Sequence, residues 1–76
     1  MTKNEMAVLK RIPQKFRKHI VSLAITKSGD YNIRGQELNN YTLTFDNGDE
    51  HMFQSQSYML WALKEYTDDA GYYLPA

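Results

Sequence analysis

The chain has 76 residues, nine basic and nine acidic side chains, and no cysteine. That length holds one small domain, and the missing cysteines exclude disulfides, thiol catalysis and cysteine-ligated zinc. No run of about 18 uncharged apolar residues exists to cross a bilayer, and the N-terminus lacks the apolar stretch of a signal peptide, so we expect a cytoplasmic protein. Because 42% of the residues are hydrophobic, the sequence predicts a single folded α+β domain over residues 1–76.

Two short helices are predicted at the N-terminus. Thr2 and Glu5 have the spacing of a capping box, in which each side chain accepts a hydrogen bond from the other residue's backbone amide. Pro13 ends the first helix and is suited to begin a second, over 13–19. The residues of the first helix predicted to face the core are Met6, Val8 and Leu9.

An antiparallel meander of three to four short strands is predicted next. Val21, Leu23 and Ile25 alternate with smaller or polar residues, which favours a strand over 20–26, although a helical pattern overlaps it. The segments predicted to follow are a turn at 27–30, a strand at 31–34 and a loop at 35–40.

The clearest hairpin lies at Asp46-Asn47-Gly48-Asp49, between a strand at 41–45 and its partner at 50–54. Two registers are open. A two-residue loop places Leu43 opposite Met52, and a three-residue loop places Tyr41 opposite Phe53.

A C-terminal helix, packed on the sheet, is predicted from an N-cap at Ser55 or Ser57 to about Asp69. Residues 72–76 are predicted to leave it as a short aromatic tail. The inward stripe of the helix consists of Met59, Ala62, Leu63 and Tyr66.

Trp61 is the leading candidate for a binding residue. On a helical wheel it lies about 200° from Met59, away from the predicted core stripe, and Tyr58 and Glu65 share its side. Large rigid rings on a surface are typical of protein-binding hot spots. In the alternative interpretation the N-terminal helices, or the tail with Tyr72 and Tyr73, cover the tryptophan side of the helix. The candidate protein-binding residues are Tyr58, Trp61, Glu65, Tyr72 and Tyr73.

The basic segment over residues 10–19 suggests an alternative, binding to nucleic-acid phosphates. Its cations are Lys10, Arg11, Lys15, Arg17 and Lys18. Residues 1–36 carry a net charge of +6 and residues 37–76 carry −6, which indicates either two charged surfaces or one surface on which the charges neutralise each other. No known nucleic-acid-binding motif accompanies the segment, and such a run is more often the solvated face of an amphipathic helix.

We expect neither catalysis nor a bound metal or cofactor. The acids of the hairpin (Asp46, Asp49 and Glu50) and His51 do not have the spacing of an EF-hand loop, and His19 is too distant in sequence to form a zinc motif with His51. The chain contains no nucleophile elbow, phosphate-binding loop or dinucleotide-binding turn.

The pattern Ile12-Pro13-x-x-Phe16-Arg17-x-x-Ile20, followed by a tyrosine-rich strand and Asp46-Asn47-Gly48, resembles small uncharacterised proteins of Gram-positive bacteria and their phages. The chain departs from that group by its extra stretch over 21–39. The resemblance implies no catalytic residues and a mobile-element setting, in which such a protein regulates or inhibits a host protein by surface contact. The overall prediction is a noncatalytic protein-binding module. The alternatives are nucleic-acid binding and a homodimer paired through an exposed sheet edge or through opposed charges.

Overall fold

The computed structural model describes residues 1–75. It confirms the predicted α+β class, with N-terminal helices, an antiparallel sheet and a C-terminal helix. In chain order the elements are α1 (Lys3–Lys10), α2 (Gln14–Arg17), β1 (Ile20–Tyr31), β2 (Glu37–Phe45), β3 (Glu50–Phe53) and α3 (Gln56–Tyr66). Within residues 1–75, no helix is long and apolar enough to span a membrane.

Helix α1 begins at the predicted capping box. Glu5 N–H donates to Thr2 Oγ1 at 3.1 Å, and Thr2 N–H donates to Glu5 Oε1 at 2.8 Å. Val8 is buried, as predicted, whereas Met6 is exposed and the prediction for it was wrong. The helix is short and packs against β1 along one side only, so Met6 lies outside that contact.

The sheet has the order β1-β2-β3, with both neighbouring pairs antiparallel. Tyr41 lies opposite Phe53, which is the register that the three-residue loop predicts. The meander thus has three strands, at the lower end of the predicted number.

The connection between β1 and β2 differs from the prediction. Strand β1 continues through the predicted turn at 27–30 to Tyr31, and the predicted strand at 31–34 is mostly the hairpin loop. The predicted loop at 35–40 is mostly the first half of β2. A register shift between Lys27 and Tyr31 shows why: the glycine at position 29 lies in a bulge of β1 rather than in a chain reversal.

The core lies between the inner face of the sheet and α3. Met59, Ala62 and Leu63 are fully buried, as the helical spacing predicted, and pack with strand residues such as Leu43 and Phe53. Val21 and Tyr66, also predicted to face inward, are exposed. Val21 lies at a register shift of β1 between Ile20 and Ser22, which turns its side chain outward.

Helix α3 is capped by Ser55, whose Oγ accepts a hydrogen bond from Tyr58 N–H at 3.1 Å. It ends at Tyr66, three residues before the predicted end. The chain then folds back, since Leu74 N–H donates to Tyr66 O and Thr67 pairs with Tyr73. The prediction that residues 72–76 leave the domain as a tail was therefore wrong for residues 72–74, and Ala76 lies outside the described residues.

Candidate protein-binding surface

Three aromatic side chains form a continuous exposed surface on α3, here called the aromatic patch: Tyr58, Trp61 and Tyr66. Their exposed fractions are 53%, 49% and 36%. The ring centroid of Trp61 lies 5.8 Å from that of Tyr58 and 5.9 Å from that of Tyr66, so the indole is in contact with both tyrosines. The rings therefore support one another while a large part of each remains accessible.

The C-terminal segment packs beside the aromatic patch and leaves it open. Tyr73 is buried, with its ring 5.4 Å from Phe53 and 6.4 Å from Tyr66, and burial raises the pKa of its hydroxyl. The returning chain thus covers the inner side of the end of α3. Trp61 remains half-exposed, so the alternative in which the tail covers the tryptophan does not apply.

An open groove continues the aromatic patch toward the sheet. Its volume is about 580 Å³, within the range of ligand pockets in proteins. Leu38 and Met52, both exposed, contribute apolar surface, and Tyr58 belongs to both the groove and the patch. The residues that line the groove are Leu38, Met52, Phe53, Gln54, Ser55 and Tyr58.

Of the five residues predicted to bind protein, Tyr58, Trp61 and Glu65 share the outer side of α3 and are exposed. Tyr72 and Tyr73 do not join them, because the turn after α3 directs both rings into contacts within the domain. The prediction also missed Leu38, Met52 and Tyr66. Only Tyr66 lay on a predicted helix face, and the other two needed the strand register to be placed.

Tyr72 belongs to a polar cluster at the opposite end of β3. Its hydroxyl donates to Asp46 Oδ1 at 2.6 Å, and His19 Nδ1 lies 2.7 Å from Asp46 Oδ2. The His19 and Tyr72 rings stack with a centroid separation of 4.2 Å. The Tyr72 and His19 hydrogen bonds lower the pKa of Asp46, and the Asp46 hydrogen bond raises the pKa of Tyr72.

This cluster joins three parts of the chain: the start of β1, the β2–β3 hairpin and the segment after α3. Asp46 N–H also donates to His19 O at 2.9 Å, so the hairpin is held to β1 through both backbone and side chain. Within residues 1–75, no hydroxyl other than that of Tyr72 hydrogen-bonds to the Asp46–His19 pair. The arrangement orients the hairpin and presents no serine or threonine nucleophile to the histidine.

The basic segment does not form one continuous stripe. Arg11 Nη1 donates to Gln56 Oε1 at 2.8 Å at the beginning of α3, whereas the Lys18 side chain lies against Gly71 beyond its end. Arg17 is half-buried. Lys10 and Lys15 are exposed, and Lys15 Nζ lies 4.9 Å from the Phe16 ring centroid. Arg11 and Lys18 therefore lie near opposite ends of α3 rather than on one compact face.

The hairpin acids do not assemble a metal site. Across residues 1–75, no group of three or more potential metal ligands is brought together. His51 packs edge-on against Phe45 and Tyr73, with ring centroids 5.8 and 4.8 Å away. Its Nε2 is buried and has no hydrogen-bond partner among the described residues, so this histidine serves as a packing residue of the inner face.

No family model matches the chain, and neither a curated protein nor a solved structure shows significant similarity to it. The resemblance to small proteins of Gram-positive bacteria and their phages therefore stays a prediction from the sequence.

Proposed function

We propose that this chain is a noncatalytic protein-binding module whose contact surface is the aromatic patch together with the adjoining groove. The observation that carries the proposal is the position of Trp61, half-exposed between two tyrosines on a helix whose opposite side is fully buried. Tryptophan and tyrosine dominate the residues that contribute most to binding energy in protein interfaces.

The rigidity of α3 supports this proposal. Met59, Ala62 and Leu63 anchor the helix in the core, and Ser55 caps its first turn. A ring held by such a helix loses little conformational entropy when a partner covers it, so more of the contact energy appears as affinity. The exposed apolar surface is also contiguous, since Met52 and Tyr58 line the same groove. Contiguous apolar surface, rather than scattered single residues, marks interaction sites.

The effect of binding is proposed to be regulation or inhibition of the bound protein. This part rests on the sequence resemblance to small proteins of Gram-positive bacteria and their phages, in whose mobile-element setting such action by surface contact is expected. No observation of the fold favours nucleic-acid binding over protein binding, since Arg11 and Lys18 of the basic segment lie near opposite ends of α3.

The experiment compares Trp61→Ala with Tyr31→Ala. Tyr31 is an exposed aromatic residue at the β1–β2 hairpin, outside the patch, and serves as the matched control. Each purified variant is immobilised and exposed to nuclease-treated lysate of the organism that encodes the chain. We expect a defined protein to be retained by the wild type and by Tyr31→Ala and lost by Trp61→Ala, while circular dichroism shows that all three remain folded.

Each other result contradicts the proposal in its own way. Retention that disappears with nuclease favours nucleic-acid binding. Equal retention by the two variants places the contact outside the aromatic patch. A partner confirmed by this comparison is then titrated as a purified protein, where loss of Trp61 should weaken binding by more than about tenfold.

A further inference from the structure

The two edges of the sheet differ in how they are protected. At the β1 edge, Ile25 N–H donates to Glu5 Oε2 at 2.9 Å, and Leu23 N–H donates to Met1 Sδ at 3.3 Å. Helix α1 and the residue before its cap therefore occupy the backbone donors that another strand would use. Such covering of an edge is a common protection against unwanted strand pairing.

The β3 edge is open. Phe45 N–H donates to Asp49 O at 2.9 Å, which makes this the first hydrogen-bonded pair of the β2–β3 ladder. Hydrogen-bonded and non-hydrogen-bonded pairs alternate along an antiparallel ladder. Glu50 and Met52 therefore form non-hydrogen-bonded pairs with their β2 partners. Their N–H and C=O groups point away from β2. In residues 1–75, neither a side chain nor a loop supplies hydrogen bonds to them.

The open edge lies beside the proposed binding surface. Met52 is 59% exposed and lines the groove together with Tyr58. The Phe53 and Tyr58 rings are 6.1 Å apart, which joins the end of β3 to the first turn of α3. A strand added to β3 would therefore place its side chains on the groove and the aromatic patch.

The charges around this edge select among the possible occupants. Asp49 and Glu50 are exposed at the beginning of β3, and Glu65 is exposed beside Trp61. Lys64 is the one cation among residues 37–76. Two copies paired through β3 would bring the Asp49 and Glu50 carboxylates of both into one interface, and like charges there are unfavourable. A cationic strand would instead neutralise them, and lysine or arginine side chains bind well over the faces of tryptophan and tyrosine.

We propose that the open edge of β3 binds an extended cationic segment of a partner protein as a fourth strand of the sheet. The inference rests on the proposed function and names the chemistry of its partner. Backbone hydrogen bonds to Glu50 and Met52 hold the segment, and its alternate side chains enter the groove. The lysine or arginine side chains contact Asp49, Glu50 and the aromatic patch.

The test uses a display library of random peptides of about 12 residues, long enough to exceed an average strand of about 5–6 residues. Peptides are selected on the wild-type protein and counter-selected on Trp61→Ala. We expect those retained to alternate lysine or arginine with β-branched residues. Trp61 is the sole tryptophan of the chain, so its fluorescence reports binding of each synthesised peptide directly.

Two changes then distinguish strand pairing at the β3 edge from non-specific electrostatic attraction of a cationic peptide. Methylation of the peptide nitrogens that face β3 should weaken binding by more than about tenfold, because it removes backbone donors without altering the protein. Glu50→Lys should also weaken binding by more than about tenfold, whereas Asp30→Lys, at an exposed acid near the other hairpin, should have little effect. Bound peptide should slow hydrogen exchange at the amides of Glu50 and Met52.

Trp61-dependent peptides that are acidic or neutral, or that leave exchange at Glu50 and Met52 unchanged, overturn the inference and leave the proposed function standing. A library without Trp61-dependent peptides also overturns it, and the lysate comparison then decides the proposed function by itself. Analytical ultracentrifugation provides the last check. A dimer in which hydrogen exchange at the amides of Glu50 and Met52 is slowed would show that a second copy fills the edge, which also overturns the inference.

Discussion

Gly71 offers a sharp test of how the segment after α3 packs on the N-terminal half of the chain. Gly71 is buried, with φ of +98°, and a Cβ atom placed there would lie 2.5 Å from Lys18 Cε and 3.0 Å from His19 Cδ2. The Lys18 side chain can move aside. The His19 ring cannot move as easily, because it is stacked on Tyr72 and lies 2.7 Å from Asp46.

We expect Gly71→Ala to lower the free energy of unfolding by about 2–3 kcal/mol. The left-handed backbone conformation contributes about 1–2 kcal/mol, and displacement of the packed ring contributes about 1 kcal/mol more. A chain of this size has a total stability of roughly 4–11 kcal/mol. The expected loss therefore corresponds to a decrease in Tm of roughly 10–20 °C.

Gly48→Ala is the matched control. Gly48 has φ of +91°, nearly the same as Gly71, but nothing lies within 4 Å of its added Cβ. Both variants lose the same unfolded-state entropy of glycine, so their difference isolates the contact with Lys18 and His19. Urea unfolding of the two variants, with unchanged slopes, gives the two free energies. Equal losses would refute the packing of the C-terminal turn on His19.

Two further predictions concern the ends of the helices. Ser55→Ala should lower the free energy of unfolding by about 1 kcal/mol, because it removes the α3 cap. Ser57→Ala lies beyond the cap position and should change the free energy of unfolding by less than about 0.5 kcal/mol. Urea unfolding of the two variants measures both changes. The hydrogen bond from Ile25 N–H, with those from Thr2, lowers the pKa of Glu5 below 4.5, so its stabilising contribution is present above that pH and disappears as the pH falls through the folded-state pKa. Glu5→Gln should therefore lose less stability than the wild type when acidified from about pH 6 to pH 3, whereas Asp30→Asn, at an exposed carboxylate outside this contact, should follow the wild type.

The elements that the sequence predicted well depend on local interactions. The capping box of α1 needs only Thr2 and Glu5, three residues apart, and the β2–β3 hairpin needs only Gly48 at its bulge position. The burial of Met59, Ala62 and Leu63 on α3 follows from the helical period alone, although Tyr66 at the end of that stripe is exposed. In each case the deciding contacts lie within a few residues along the chain, so composition and spacing suffice.

The β1–β2 hairpin shows where local patterns fail. Its loop, Asn32 to Gln36, has the same hydrogen bonds as the β2–β3 loop: Gly35 N–H donates to Asn32 O, and Asn32 N–H donates to Gln36 O. The asparagine three residues before glycine was an available signal. Gly29-Asp30 offered a competing one, and the long pairing of β1 with β2, a non-local contact, favoured a bulge at that point over a turn.

The candidate site was predictable in part for the same reason. Trp61 and Tyr58 point outward by the period of α3, and this was correctly inferred. The groove required Leu38 and Met52 to be placed on one face, which depends on pairing across the sheet. The burial of Tyr73 depends on the chain reversal after α3, which the sequence pattern did not predict. Pairing across the sheet therefore decided the groove, and the reversal after α3 decided the burial of Tyr73.

The fold brings the basic and the acidic half of the sequence into contact. The basic segment and the hairpin meet rather than lie on opposite sides, since Asp46 contacts His19. The Lys18 side chain lies against Gly71, and Arg11 donates a hydrogen bond to Gln56, so both contact the C-terminal half of the chain. These cations have partners within the domain, and the acids Asp49, Glu50 and Glu65 are exposed. The zero net charge of the chain therefore includes exposed acids at Asp49, Glu50 and Glu65, and the proposal of a cationic partner rather than a second copy rests on these acids.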